Sequence, residues 1–145
     1  MRTLAQKLEF LYGERGSEVQ KRIEALIEAN RNLVPGFPPL SEKDTFVETY
    51  GDTLLHQGDV PLQTLKHFLQ RHTKGAVTNL KICPYYPATG DDGYSVSDYY
   101  AVRKDLGEWK DIESLANSFG ILSELVLNHT SVANVWFKGF LARDE

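Results

Sequence analysis

The chain has 145 residues, 41% of them hydrophobic and 25% charged, with a formal net charge of −4. That is globular composition and enough length for one ordinary domain with its core; it excludes a disordered chain and argues against a basic nucleic-acid-binding surface. The single cysteine, Cys83, excludes an internal disulfide framework and a cysteine-based zinc site, and fits a reducing cytoplasm.

The N-terminus carries Arg2, Lys7 and Glu9 inside what would have to be the apolar core of a secretory signal, so no such signal is expected. Leu4, Leu8 and Leu11 fall at helical spacing, as do Val19, Ile23, Leu26 and Ile27, which are flanked by Glu18, Lys21, Arg22, Glu24 and Glu28. These spacings predict two amphipathic helices broken between Gly13 and Gly16, with Ser17 as N-cap of the second. Pro35, Pro38 and Pro39 then stop any helix. The expected division is a helical segment over 1–34, a linker over 35–44, and a β/α region over 45–145.

Within that region strands are expected at 45–50, 77–83 and 121–127. A helix opening at Pro61 carries Leu62, Leu65, Phe68 and Leu69. Another carries Trp109, Ile112, Leu115 and Phe119 and stops at Gly120. A last short one carries Trp136, Phe137, Phe140 and Leu141. Strands alternating with helices imply parallel strands with right-handed crossovers. Trp109, Trp136 and Phe137 are expected in the core.

The segment from Tyr85 to Leu106 is the longest stretch without periodicity. Loops of about twenty residues inside compact domains are uncommon and are usually functional or disordered. This one is rich in Asp and Tyr, and its aromatics favour order. Asp91 and Tyr94 flank Gly93. A carboxylate can accept two hydroxyl protons and a ring offers a flat apolar face, the pair of features a sugar presents in complement. The same residues also fit an aspartate-glycine turn with a packed tyrosine. Asn128 and His129 follow an apolar run, which puts the imidazole at a strand's C-terminal end, where it can bond a ligand hydroxyl or a loop carbonyl. Glu124 sits among apolar residues and is expected either to meet a cation inside the sheet's inner face or to lie on the polar side of an edge strand. His56, His67 and His72 read as surface residues, and the four histidines have no metal-ligand spacing. Cys83 reads as a small buried side chain, not a nucleophile. No phosphate-binding glycine loop or nucleophile elbow is present.

Leu80-Lys81-Ile82-Cys83-Pro84-Tyr85-Tyr86-Pro87, Asp91-Asp92-Gly93-Tyr94-Ser95-Val96-Ser97-Asp98-Tyr99 and Glu124-Leu125-Val126-Leu127-Asn128-His129 together resemble the N-terminal part of glycoside hydrolase family 13, in its sucrose and glucosylglycerate phosphorylase branch. So do Leu8-Glu9-Phe10-Leu11-Tyr12-Gly13-Glu14, Leu106-Gly107-Glu108-Trp109-Lys110-Asp111 and Tyr50-Gly51-Asp52. The resemblance implies the first three strands of a (β/α)8 barrel preceded by two helices. It implies retaining glucosyl transfer to phosphate, giving glucose 1-phosphate; the alternatives are hydrolysis or transglycosylation by the same family, or a non-catalytic remnant or complementing piece. By it, Asp91 holds distal hydroxyls of the glucosyl unit, Tyr94 lies beneath the sugar, His129 binds the primary hydroxyl and Asn128 shapes the strand end. That asparagine is a metal ligand in calcium-dependent amylases, but the phosphorylase branch implies no metal and no cofactor.

Two departures stand out. The family has aspartate at the place of Glu124, where it supports an active-site arginine on the following strand. The family's catalytic carboxylates also lie on later strands, so no catalytic residue is assigned here and the chain alone is expected to be inactive. The implied partners are a sugar and inorganic phosphate, with no nucleic acid and no membrane. Open sheet edges are expected to promote self-association, with Val126 and Ile82 left facing water.

Overall fold

The structure, a computed structural model, describes residues 2–33 and 39–143. It divides into two units, Met1–Pro39 and Leu40–Glu145. Residues 35–38 of the expected linker lie outside the described residues.

The first unit is a helical hairpin: α1 over Leu4–Tyr12, a 3-10 turn over Gly13–Arg15, and α2 over Gly16–Asn30. Thr3 caps α1 with a reciprocal pair of bonds. Its hydroxyl accepts from the Gln6 N–H at 3.3 Å, and the Gln6 side chain accepts from the Thr3 N–H at 3.0 Å. The helices cross closely at Gly16, where a Cβ would fall 2.7 Å from the Glu9 nitrogen. Ser17 is not the N-cap of α2. The helix starts two residues earlier, at Gly16, because the 3-10 turn runs straight into it, leaving Arg15 at the cap position without a side-chain bond.

The second unit alternates β1 (Phe46–Thr49), α3 (Pro61–Thr73), β2 (Asn79–Ile82), α4 (Trp109–Ala116), β3 (Gly120–Ser123) and α5 (Val135–Ala142). The three strands are parallel in the order β1-β2-β3. Phe46, Asn79 and Gly120 share one register row, and Glu48, Lys81 and Leu122 share another. Each strand is shorter than its sequence pattern. Pro84 has no N–H to donate, so the β2 ladder stops at Ile82, and β3 stops opposite it at Ser123. Glu124 therefore lies one residue past β3 and not within it.

The side chains alternate across this sheet as strand geometry requires. Leu80 and Ile82 are fully buried in a core with Leu62, Leu65 and Leu69 of α3 and Leu115 of α4. The two helices are tied to each other by Gln63–Asp111 and Lys66–Ser114 bonds at 2.7 and 2.6 Å, and α3 is tied to the turn after α4 by a Gln70–Ser118 bond at 2.8 Å. The expected exposure of Ile82 and Val126 is wrong: both are buried. Ile82 points to the helix side of the sheet. Val126 is roofed by the long loop, whose Tyr99 hydroxyl donates to the Val126 carbonyl at 2.6 Å.

Trp136 and Phe137 are also not core residues. No side chain of α5 is buried, and Trp136 is 56% exposed. Their helix lies beyond β3, where α3 and α4 supply no covering layer. Trp109 keeps an exposed edge and donates its indole N–H to the Tyr100 carbonyl at 2.8 Å.

Candidate functional site at the strand ends

The segment after β2 is ordered by its own backbone. The Ser97 N–H donates to the Pro87 carbonyl at 2.8 Å, and Ala88 and Val96 form an antiparallel bridge. This closes a small lobe whose tip is the 3-10 turn Asp91–Gly93. The tip is sharply bent. Asp91, Asp92 and Gly93 all have positive φ, at 56°, 49° and 96°. Only glycine fits at 93, since a Cβ there would meet the Pro84 carbonyl at 3.0 Å as well as the unfavourable φ.

A second set of bonds brings the β3 exit to this lobe. The Val96 carbonyl accepts from both the Ser131 N–H and the Thr130 hydroxyl, at 3.0 and 2.8 Å. The Ser131 hydroxyl is 2.7 Å from that of Thr89. Ser131 and Asn134 are buried polar residues, and Asn134 caps α5 by accepting from the Trp136 N–H. These bonds fix residues 129–131 beside the tip. His129 Nε2 consequently lies 3.3 Å from Asp91 Oδ2, with both side chains open to solvent. The pair carries one imidazole and one carboxylate at the C-terminal end of the sheet, both able to bond hydroxyl groups of a ligand.

Tyr94 follows the tip and is half-buried against the core. Desolvation raises its pKa above the usual tyrosine value. Asn128 is exposed at the bend before His129. Cys83 is buried, 3.8 Å from Glu48 Oε1, and burial pushes its thiol up, away from thiolate reactivity. His56, His67 and His72 are exposed; His56 pairs only with Asp59. Among the described residues no His, Cys, Asp and Glu group is arranged to hold a metal ion.

Two features went unread in the sequence. The first is the partner of Glu124. Lys81 Nζ lies 2.8 Å from Glu124 Oε1 and 2.7 Å from Glu48 Oε1, joining all three strand lines on one face. The bonds to Glu124 and Glu48 raise the Lys81 pKa, and the Lys81 bond lowers that of Glu48. The signal was present in the alternation: Glu48 and Lys81 both interrupt apolar strand positions. The second feature is a cleft of about 730 Å³ lined by Tyr86, Tyr99, Val126, His129, Trp136 and Phe137. Trp136 stacks on Tyr99 with centroids 5.6 Å apart. Nothing in the spacing of these residues places them together, because they converge from three segments.

No family profile matches the chain. It is 40% identical to the glucosylglycerate phosphorylase of Allomeiothermus silvanus over 98% of its own length and 25% of that protein's. To the sucrose phosphorylase of Streptococcus mutans it is 27% identical over 70% of its length and 20% of the relative's. Among solved structures, it superposes on the sucrose 6F-phosphate phosphorylase of Thermoanaerobacter thermosaccharolyticum with a TM-score of 0.62 and 29% identity, covering 71% of this chain and 20% of that one. The chain thus spans about a quarter of the length of the curated relatives it matches. The three parallel strands with their helices correspond to the start of a (β/α)8 barrel.

Proposed function

We propose, from the chain's kinship with the N-terminal portion of the glucosylglycerate and sucrose phosphorylase branch of glycoside hydrolase family 13, that it carries part of the donor-sugar site of a retaining α-glucoside phosphorylase. In that reaction a carboxylate displaces the leaving group from the anomeric carbon, and phosphate then takes the glucosyl unit as glucose 1-phosphate. The glucoside is sucrose, glucosylglycerate or a similar compound, and the setting is cytoplasmic. No helix among the described residues is long and apolar enough to cross a membrane. In this reading residues 45–145 are the first β/α units of the barrel, with 1–34 and 35–44 as helical segment and linker.

Asp91 and His129 grip hydroxyls at the far end of the glucosyl ring, Tyr94 lies under its apolar face, and Asn128 shapes the strand exit. Their contribution is positioning. Holding a substrate in reacting geometry supplies a large share of catalysis without any bond being made by the residues that hold it. The observation that carries this reading is the 3.3 Å approach of His129 to Asp91, two motifs that lie far apart in the chain. Retention needs two carboxyl groups about 5 Å apart across the scissile bond. We assign no such pair here, so the 145-residue chain is expected to bind sugar and not to turn it over. The open edges of β1 and β3 are expected to draw further chain, or another copy, into the sheet.

Titration of the chain with glucose and with glucose 1-phosphate, followed by amide NMR shifts, tests the site. Shifts at the 90–94 turn and at His129 that disappear in Asp91→Ala support it; unchanged binding in that variant removes it. Release of glucose 1-phosphate from sucrose or glucosylglycerate by the pure chain, lost in Asp91→Ala, would instead show that a catalytic pair is present.

A further inference from the structure

The segment that carries His129 belongs to no helix or strand: the β3 ladder ends at Ser123 and α5 begins at Val135. Something other than regular structure must hold the imidazole beside Asp91. The side-chain bond nearest to that pair joins two hydroxyls. Ser131 Oγ lies 2.7 Å from Thr89 Oγ1. Thr89 is two residues before Asp91 and Ser131 is two residues after His129, so the bond cross-links the two segments right beside the pair. It is firmly seated. Ser131 is 1% exposed, its hydroxyl also accepts from the Ala133 N–H at 3.0 Å, and Thr89 Oγ1 is 3.3 Å from Ser95 Oγ. A hydroxyl shut away from water keeps its partners, because a broken bond there is not replaced by hydration.

We propose that Ser131 and Thr89 are positioning residues: their hydroxyl bond sets the separation of His129 from Asp91, and with it the spacing at which two ligand hydroxyls are met. The ligand rests on the donor-site reading above; the positioning rests on the bonds alone. Asp91 and His129 are both open to solvent, and an exposed ion pair does not hold its own geometry. Its attraction in water is small against the side-chain freedom it would have to restrict. The backbones must be held from elsewhere. The Val96 carbonyl accepts from the Ser131 N–H and the Thr130 hydroxyl, which pins the β3 exit to the leg of the turn that follows Asp91. Thr89 lies on the leg that precedes it, and the Ala88–Val96 bridge holds the two legs side by side. With the Val96 pin alone the exit can pivot. The second pin, made by side chains only, removes that freedom. Groups already fixed at their binding separation need no ordering when the ligand arrives, which is where preorganisation raises affinity.

The test uses the 145-residue chain and two NMR readouts. The first, without ligand, is the NOE cross-peak between the His129 ring protons and the Asp91 Cβ protons. The second is the affinity for glucose. Thr89→Val keeps the shape of the side chain and removes its hydroxyl, Ser131→Ala removes the other half of the bond, and Thr89→Ser retains it. The cross-peak is expected in wild type and Thr89→Ser and is expected to be lost in Thr89→Val and Ser131→Ala. In those two variants glucose binding should weaken about fivefold, the size of one net hydrogen bond, with Thr89→Ser close to wild type. Ser114→Ala, which removes a bond between α3 and α4, softens the helix layer and should leave both readouts at their wild-type values. A cross-peak missing from wild type, or surviving in both hydroxyl-free variants, overturns the proposal. So does its equal loss in Ser114→Ala, which would make it a matter of general stability, and so does unchanged glucose affinity where the cross-peak is gone. A wild type that shows the cross-peak and binds no glucose removes the donor-site reading instead, and the cross-peak comparison then decides the positioning alone.

Discussion

The two faces of the three-stranded sheet are built from the same strands and solve opposite problems. On one, Leu80 and Ile82 are sealed under α3 and α4 in a continuous apolar core. On the other, Glu48, Lys81 and Glu124 form a chain of two ion pairs, next to Phe46 and Leu122, which remain exposed. The first face is held by area removed from water, a term proportional to burial and insensitive to pH. The second is held by geometry between charges that water still reaches, a weaker and titratable term. One face therefore fixes that the unit folds, while the other tunes how the strand ends are set beneath the loops proposed to hold the sugar.

The largest expected effect is on the sealed face. Leu80→Ala removes a fully buried side chain and should cost roughly 2–5 kcal/mol in a denaturant melt. A loss below about 1 kcal/mol would mean that this face is not the one that stabilises the unit. Next comes the turn that both faces support. Gly93→Ala combines an unfavourable φ with a close approach to the Pro84 carbonyl, and about 1–3 kcal/mol of strain is expected. Its sugar affinity should fall with it, measured by the same NMR titration.

On the charged face, Lys81→Met should lower the melting midpoint at pH 7, because two carboxylates then face each other without their cation. The sign of the pH dependence follows from the shifts. Glu48 has its pKa depressed by Lys81, so its contribution is present above the ordinary value near 4.5 and is lost as pH falls through the lowered one. Lys81 is raised, so its contribution is present below 10.5 and lost as pH climbs through the raised value. Wild type and Lys81→Met should differ most between those limits and converge in acid. Equal midpoints at pH 7 would show that the pairs contribute nothing to stability. The smallest effect on stability is expected at the rim. Asp91→Ala and His129→Ala remove exposed groups and should leave the midpoint within about 0.5 kcal/mol of wild type while reducing sugar binding. A large stability loss would make that pair a structural contact and not a ligand site.

Much of this was legible in the residues. Apolar runs bounded by Pro61, Pro84 and Gly120 placed the β/α alternation, because proline and glycine act on the local backbone whatever surrounds them. The loop tip was legible for the same reason. What the pattern missed lies in long-range pairing. Ser17 looks like a cap, but the preceding 3-10 turn had already begun the helix. Leu125 and Leu127 look like strand residues, yet the ladder ends once β2 reaches Pro84. Trp136 looks like a core residue by size, yet it stacks on Tyr99 at the edge of an open cleft.

Local chemistry alone thus determined the order of the elements, the parallel class of the sheet and the sharp turn at Asp91–Gly93, since each depends on residues close in sequence. Tertiary structure alone decided that Lys81 would join Glu48 to Glu124 and that the Val96 carbonyl would draw Thr130 and Ser131, and with them His129, to Asp91. Those contacts join residues more than thirty positions apart. Which of the many carboxylates meets which cation depends on strand register and crossover geometry, and these are set only when the whole core packs.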